Sequence, residues 1–310
     1  MSQSNEWRDE LERTKLILAM VVVGSIGIFV HYIPLPSAVI AMFRAVLGTI
    51  FLGSVVISRR TTINWKAVRK NAVYLVLSGA AIGFNWIFLF EAYRYTSIAV
   101  ATLCYYMAPV FVLIMSPFVL KEKFNKYSLL TTAAAVLGAI LISGVLTGSG
   151  ATLTGVGYGL LAAVLYAGIM ILNKLTQGLT GLELTFFQLL VAGIVMVAYN
   201  LPTYDLTSLE FTPRTMVLLL IVGVVHTGWV YQLFFSSINQ LPAQTSALLT
   251  YVDPITAIIL STLILGQPLQ WLQLVGTILI IGSAILHEMV AIKTLTKQDQ
   301  KAELTGSVNL

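Results

Sequence analysis

One carboxylate stands inside a long apolar stretch near the end of the chain. In YVDPITAIIL, residues 251–260, Asp253 is followed directly by Pro254. A charged side chain at the centre of a bilayer costs about 3 kcal/mol or more, so such residues usually face a cavity or a partner. Pro254 has no N–H and frees a backbone carbonyl one turn earlier, near Thr250. This combination suits the binding of a polar molecule or a proton; the alternative is that Asp253 only pairs inside a helix bundle.

A histidine lies at similar depth in the preceding apolar stretch. His226 is about twelve residues into that stretch and Asp253 about ten residues into its own, or ~15 Å at the helical rise. An imidazole can change its charge near neutral pH, so His226 could relay protons with Asp253 or bind a polar ligand. A purely structural histidine is the alternative. Trp229 shares the face of His226 and could form a wall of the same cavity.

Two further charged residues lie in or beside apolar stretches. Arg44 is about eight residues into the second stretch, where its side chain could reach outward along the helix. It could also pair with Glu91, and we expect this structural ion pair rather than a ligand-binding role.

Several polar and aromatic residues recur at mid-depth. Each one alone is more often a core residue than a ligand contact. Together they suit a pocket that holds an organic molecule by ring contacts and a few hydrogen bonds. This predicted pocket consists of Asn85, Trp86, Tyr106, Tyr166 and Tyr251, with Tyr105 beside them.

The composition indicates that lipid is the solvent of this chain. Its 310 residues are 57% hydrophobic and only 10% charged, with a mean hydropathy of +0.88, whereas soluble domains carry about 25% charged residues. The net charge of +5 is spread over loops, which argues against a nucleic-acid partner. The single cysteine, Cys104, excludes a disulfide within the chain. No phosphate-binding loop, zinc-protease motif or nucleophile elbow is present, and we expect no metal and no cofactor.

Ten apolar segments are long enough to cross a bilayer, which requires about 20 residues each. We therefore expect an all-α integral membrane protein with ten transmembrane helices. The predicted spans are 15–33, 36–58, 71–92, 97–120, 127–146, 153–174, 182–201, 214–238, 243–265 and 270–292.

The distribution of basic residues predicts the orientation of these spans. Fifteen of the 18 Lys and Arg residues lie on the side of the N-terminus, two lie on the other side, and Arg44 lies within a span. Loops rich in Lys and Arg stay in the cytoplasm. Both termini are therefore predicted to be cytoplasmic, in a plasma membrane. Short loops favour the bacterial inner membrane.

The two halves of the chain match weakly when one slides over the other. A shift of 145 places Pro109 on Pro254 and Tyr106 on Tyr251, and a shift of 144 places Arg44 on Gln188. With five spans in each half, the second copy enters the membrane from the opposite side. We expect two inverted five-helix repeats, 15–148 and 149–292, around a central cavity, with cytoplasmic segments 1–14 and 293–310. General similarity among apolar helices is the alternative explanation.

These segments resemble the drug/metabolite transporter superfamily, in particular its ten-span EamA-type exporters. The resemblance covers nearly the whole chain and is carried by GSIGIFV, FRAVLG, AYRYTSIAVATL, LTYVDPITAIILSTLILGQ and GTILIIGSAIL, which begin at residues 24, 43, 92, 249 and 276. It implies a secondary transporter that exports small metabolites, often amino acids or related compounds, through a cavity between two five-helix halves.

The expected function is export of a small polar or amphipathic metabolite by alternating access, with protons as a possible coupling ion through Asp253. Arg44, Glu91, Gln188, Pro109 and Pro254 are expected in structural or gating roles. Facilitated diffusion without a coupling ion is the main alternative. An intramembrane enzyme that uses Glu91, His226 and Asp253 is a remote one. The expected partners are a small-molecule substrate and membrane lipid, and a monomer would suffice for this mechanism.

Overall fold

Helices account for the regular structure of the described residues, and no strand occurs among them. The computed structural model describes residues 2–96, 98–122, 126–142, 152–266, 271–272, 274–283, 285–286 and 289. The helices are α1 (Ser2–His31), α2 (Ser37–Ser58), α3 (Trp65–Lys70), α4 (Ala72–Tyr95), α5 (Ile98–Tyr105), α6 (Ala108–Val119), α7 (Lys126–Ile142), α8 (Leu153–Leu175), α9 (Gly181–Thr203), α10 (Pro213–Gly223), α11 (Val230–Gln240), α12 (Ala243–Leu249), α13 (Val252–Leu265) and α14 (Leu274–Ser283). A 3₁₀ turn covers Leu206–Ser208, and a π-helical turn, Val224–Trp229, joins α10 to α11.

Eight helical segments are long and apolar enough to cross a membrane, judged by length and composition. They confirm eight of the ten predicted spans as helices of the required kind. The predicted spans 127–146 and 270–292 fall on α7 and α14, whose described apolar stretches, Lys126–Leu141 and Leu274–Ser283, are shorter. Residues 143–146 of the former and several residues of the latter lie outside the described residues, as does the predicted tail from residue 293.

The outer surface agrees with a lipid environment. Large apolar side chains are exposed along the helices, including Ile57 at 78%, Phe118 at 83% and Leu153 at 89%. Such exposure would be unfavourable in water but matches the hydrocarbon of a bilayer.

Two of the long segments are interrupted near their middle, at matching positions. The first breaks at Tyr106 and Met107, between α5 and α6, and the second at Thr250 and Tyr251, between α12 and α13. A proline follows each break within the first turn of the next helix, where its missing N–H is tolerated but would otherwise interrupt the helical hydrogen bonds. The proline pair that aligns the two halves of the sequence therefore marks a structural break in each.

The long helices pack in an interlocked arrangement. α1 lies against α11 and α13, α8 lies against α4, α5 and α6, and α2 and α4 both lie against α9. Glycines allow the closest of these approaches. A Cβ atom on Gly24 of α1 would lie only 2.6 Å from the Asp253 carbonyl oxygen, and one on Gly79 of α4 only 2.8 Å from the Gln188 carbonyl oxygen.

Candidate functional site

A cavity lies among α1, α4, α8, α11 and the two helix breaks. The centre of a water molecule can reach about 70 Å³ of it, and the wider space free of protein atoms, about 700 Å³, includes open solvent. Aromatic side chains form about half of the cavity wall, and Asp253 is the one acidic or basic side chain among the described residues that line it. The lining residues are Met20, Val23, Ile82, Asn85, Trp86, Tyr105, Tyr106, Ala108, Pro109, Tyr166, Ile169, Tyr231, Phe234, Phe235, Thr250, Tyr251 and Asp253.

Asp253 occupies the first turn of α13, directly after the break. Its backbone N–H donates to the Thr250 carbonyl at 3.2 Å, and its own carbonyl faces Gly24 of α1. The side chain keeps part of its surface free and lines the cavity. The break thus presents a carboxylate to an internal space rather than to lipid, which is how an intramembrane acid is normally accommodated.

The aromatic side chains of the cavity form a continuous series of ring contacts. Tyr105 and Tyr166 stack almost in parallel, with centroids 5.3 Å apart and planes at 5°. The series continues with centroid distances of 6.3 Å or less from Tyr166 through Phe234, Phe235 and Tyr231 to Trp86. Such a wall offers apolar area and ring faces to a flat or cationic group.

The two helix breaks are joined by a hydrogen bond. The Tyr251 hydroxyl donates to the Tyr106 carbonyl oxygen at 2.9 Å. Within the broken segment, the amides of Val110 and Phe111 both donate to the Met107 carbonyl instead, so the Tyr106 carbonyl is free for this contact. The helix breaks therefore leave the Tyr106 carbonyl oxygen available as an acceptor, and they also border the cavity.

Arg44 of α2 approaches this site from behind the aromatic wall. Its guanidinium lies 4.8 Å from the centre of the Trp86 ring, and its Nε donates to the Thr227 hydroxyl at 3.1 Å. It is the one charged group in the described part of the chain that acts electrostatically on Asp253. No ion pair joins them within 4.0 Å among the described residues.

The expected Arg44–Glu91 ion pair is wrong. Glu91 instead accepts hydrogen bonds from Arg94 at 2.9 Å and from the Tyr199 hydroxyl at 2.6 Å. Glu91 lies near the end of α4, and Arg94 is one helical turn away on the same face. The local partner therefore satisfies the carboxylate, while Arg44 is held by Thr227 and Trp86.

His226 and Trp229 do not line the cavity, which corrects their predicted placement. His226 Nε2 lies 3.0 Å from the Ser25 hydroxyl, and its ring packs edge-on against Phe29 at 4.7 Å. Trp229 is 40% exposed at the outer surface. Both belong to the π-helical turn, which shifts the direction of side chains relative to a regular α-helix. The predicted relay between His226 and Asp253 has no hydrogen-bonded connection in the described structure.

The remaining predicted residues have defined positions. Asn85 contributes to the cavity wall, and its side-chain amide donates to the Ala162 carbonyl at 2.6 Å. This hydrogen bond connects α4 to α8. Gln188 lies away from the cavity and donates to the Ser78 hydroxyl at 2.6 Å and to the Asn173 side chain. Pro109 lines the cavity directly, and Pro254 follows the carboxylate-bearing break.

The sequence did not single out Tyr231, Phe234 or Phe235. Their spacing at i, i+3 and i+4 places them on one helix face, and this was the available signal. Aromatic residues at that spacing are also typical of ordinary cores. Thr250 and Met20 complete the wall without any distinctive pattern.

The proposed enzyme residues are not assembled into one site. Glu91 is bonded to Arg94 and Tyr199, His226 to Ser25, and Asp253 lines the cavity. Within the described ranges, no group of three or more His, Cys, Asp and Glu could hold a metal ion.

A protein-family model matches this chain twice, over residues 14–144 and 153–288, and it describes an EamA-like transporter family. The chain belongs to the EamA-like transporter family. The resemblance to the drug/metabolite transporter superfamily is thereby confirmed, and the protein is a membrane transporter rather than an enzyme.

Relatives of this EamA-like protein occur in several organisms. It is 29% identical over 295 residues to "Uncharacterized transporter YxxF" of Bacillus subtilis (strain 168), covering 94% of this chain and 92% of the relative. It is 26% identical to "Protein PecM" of Dickeya dadantii (strain 3937), covering 75% and 79%. It is 24% identical to human "Solute carrier family 35 member G1", covering 79% and 70%.

A solved crystal structure shares the fold of this EamA-like protein. The TM-score is 0.80, with 90% of this chain and 98% of the other covered, at 13% sequence identity. The helical arrangement is therefore one that a distant sequence also adopts.

Proposed function

We propose that this EamA-like protein exports small organic metabolites from the cytoplasm by alternating access. The observation that carries the proposal is the cavity between two broken helices, with one carboxylate in an aromatic wall. Broken helices at mid-membrane supply binding groups and hinges together in many transporters. The substrate binds in the cavity while its exit is closed on one side of the membrane.

The proposal includes an inverted relation between the two halves of the chain. The packing of α1 against α11 and α13 has a counterpart in the packing of α8 against α4, α5 and α6, as exchange of the halves would require. The breaks fall at matching proline positions, and the family model matches each half once. We assign the halves to 15–148 and 149–292, with ten spans in total.

Polar contacts of α6 and of Glu122, which follows it, with α12 support a closed gate on one side. The Glu122 carboxylate accepts the Ala243 N–H at 2.9 Å, and Gln244 donates to the Ser116 hydroxyl at 3.4 Å. α6 packs against α12, whereas the other halves of the broken segments, α5 and α13, are not a packed pair in the described structure. With the termini in the cytoplasm, as the basic residues favour, the closed gate faces the cytoplasm.

Export itself can be tested without knowledge of the substrate. Proteoliposomes loaded with a deproteinised bacterial extract are incubated, and the external medium is analysed by mass spectrometry. At least one metabolite should leave faster than from protein-free liposomes, and a Trp86→Ala variant should slow that efflux. Trp229→Ala, which alters an exposed tryptophan outside the cavity, is the matched control. Equal efflux from protein-containing and empty liposomes would contradict the proposal.

Proton coupling through Asp253 is a separate part of the proposal. Asp253 is the one carboxylic acid among the described residues of the cavity wall. Arg44 acts on it electrostatically from α2, and Asp253 in turn acts on Tyr93, Tyr105, Tyr106, Tyr166 and Tyr231. An imposed pH gradient should change the efflux rate of the wild type but not of Asp253→Asn. Efflux that follows only the substrate gradient in the wild type would instead support the uncoupled carrier.

A further inference from the structure

We infer that the cavity is selective for organic cations: amines or quaternary ammonium compounds that carry a flat apolar group. This inference rests on the proposed function, because it treats the cavity as the substrate site. It goes beyond that function by assigning a charge and a shape to the substrate.

The charge assignment follows from the lining residues. Among the described residues of the cavity wall, Asp253 is the one acidic or basic side chain. Arg44 is absent from the wall, and its guanidinium is engaged by Thr227 and the Trp86 ring. A carboxylate that faces an enclosed space favours a cation as its counter-charge, since the low surrounding dielectric strengthens their attraction.

Three polar groups of the wall already donate hydrogen bonds to backbone carbonyls. The Asn85 amide donates to the Ala162 carbonyl, the Thr250 hydroxyl to the Ala247 carbonyl, and the Tyr251 hydroxyl to the Tyr106 carbonyl. An anionic ligand would therefore have to lie beside Asp253 without these donors. A cation meets the carboxylate and loses none of the existing hydrogen bonds.

The shape assignment follows from the rings. The contacts from Tyr105 through Tyr166, Phe234, Phe235 and Tyr231 to Trp86 surround one space. Ring faces attract ammonium groups electrostatically, and they stack with flat apolar groups. The rings thus line the same space as the Asp253 carboxylate, so that one ligand can meet both.

Binding of four probes that share a phenyl ring tests the charge assignment. The purified full-length protein in lipid nanodiscs is titrated with benzyltrimethylammonium, benzyl alcohol, benzoate and L-phenylalanine, and heat is measured by calorimetry. The cation should bind at least ~10-fold more tightly than each of the other three probes, a difference of about 1.4 kcal/mol. Tighter binding of benzoate or L-phenylalanine, or no binding of the cation, would overturn the inference.

Variants separate the carboxylate from the rings. Asp253→Asn should weaken binding of the cation ~10-fold or more and leave benzyl alcohol unchanged, whereas Asp253→Glu should retain most of the cation affinity. Tyr166→Leu should weaken all ring-bearing probes, and Tyr166→Phe should not. Trp229→Phe is the control outside the cavity. Unchanged cation binding in a well-folded Asp253→Asn protein would also overturn the inference.

The same probes distinguish this inference from the proposed function. Cation binding without any efflux from proteoliposomes would contradict transport and leave the selectivity standing. Efflux of anionic or neutral metabolites alone, with no cation binding, would support transport and overturn the selectivity.

Discussion

The hydroxyl of Tyr251 donates to the backbone carbonyl of Tyr106 at 2.9 Å, which connects the interruptions of two membrane-spanning segments. The two tyrosines are also the residues that align when one half of the sequence is moved by 145 positions onto the other. The contact joins the first half of the chain to the second, within the wall of the cavity. It therefore constrains how far the two broken segments can separate.

Removal of this hydroxyl should lower stability. Tyr251 is 1% exposed, and Tyr251→Phe leaves a buried carbonyl without its donor, which costs about 1–3 kcal/mol. We expect a lower thermal unfolding midpoint in a fluorescence-based melting assay. Tyr32→Phe is the matched control, because Tyr32 is 43% exposed and its ring contact with Arg214 needs no hydroxyl. If the unfolding midpoint of Tyr251→Phe equals those of Tyr32→Phe and the wild type, the hydrogen bond does not stabilise the fold.

The close approach of α1 to α13 gives a second prediction. Gly24→Ala places a Cβ 2.6 Å from the Asp253 carbonyl oxygen and 2.7 Å from Thr256 Cβ, so the helices must move apart. Gly27→Ala, one turn further along α1, meets nothing within 4 Å. Gly24→Ala should therefore lower both the unfolding midpoint and efflux, and Gly27→Ala should change neither. A comparable loss in both variants would point to general helix effects instead.

The buried amide cluster between α4, α8 and α9 gives a third prediction. Gln188→Leu removes the donor to the Asn173 side chain and to Ser78, all of which are fully buried. The unsatisfied Asn173 oxygen should cost roughly 1–3 kcal/mol, seen as a lower unfolding midpoint. Gln240→Leu alters an exposed glutamine and serves as the control. A Gln188→Leu midpoint equal to the wild type would mean that apolar packing compensates fully.

The contact of Glu122 with the start of α12 gives a fourth prediction. Charge-assisted hydrogen bonds are about twice as strong as neutral ones, so Glu122→Gln should weaken the bond to the Ala243 N–H. Amide hydrogen exchange in the α12 region should then accelerate, while exchange in α9 stays unchanged. Glu10→Gln, which alters an exposed glutamate of α1, is the control. Unaltered exchange in α12 would remove Glu122 from the proposed gate.

The sequence predicts how far along a membrane-spanning helix a residue lies better than it predicts the direction in which its side chain points. Asp253 was identified because an acid inside an apolar run is costly, Pro109 because it aligns with Pro254, and Tyr106 and Tyr251 as aromatic residues at mid-depth. The structure brings all four to the cavity. His226 lies in the expected stretch, but the π-helical turn directs it towards Ser25 and Phe29. No pattern in the sequence indicates the π-helical turn.

Charge pairing was less predictable because it depends on local competition. Arg44 and Glu91 are plausible partners by sign alone, yet Glu91 is satisfied by Arg94 within its own helix. Arg44 then rests on the Trp86 ring, a contact that requires knowledge of how α2 faces α4. Tyr231 and Phe234 were missed for a similar reason, since ring spacing on a helix does not distinguish a cavity wall from a lipid-facing surface.

The close contact at Gly24 couples the movement of α1 to that of α13. Because the backbone of α13 rests directly against α1, any swing of α13 must carry the N-terminal helix with it, although the two are distant in sequence. α8 approaches α5 equally closely, since a Cβ atom on Gly159 would lie 2.7 Å from Cys104 Cβ, and it also packs against α6. In the proposed alternating cycle, each half of the chain therefore contributes its first long helix to the moving unit formed by the other half.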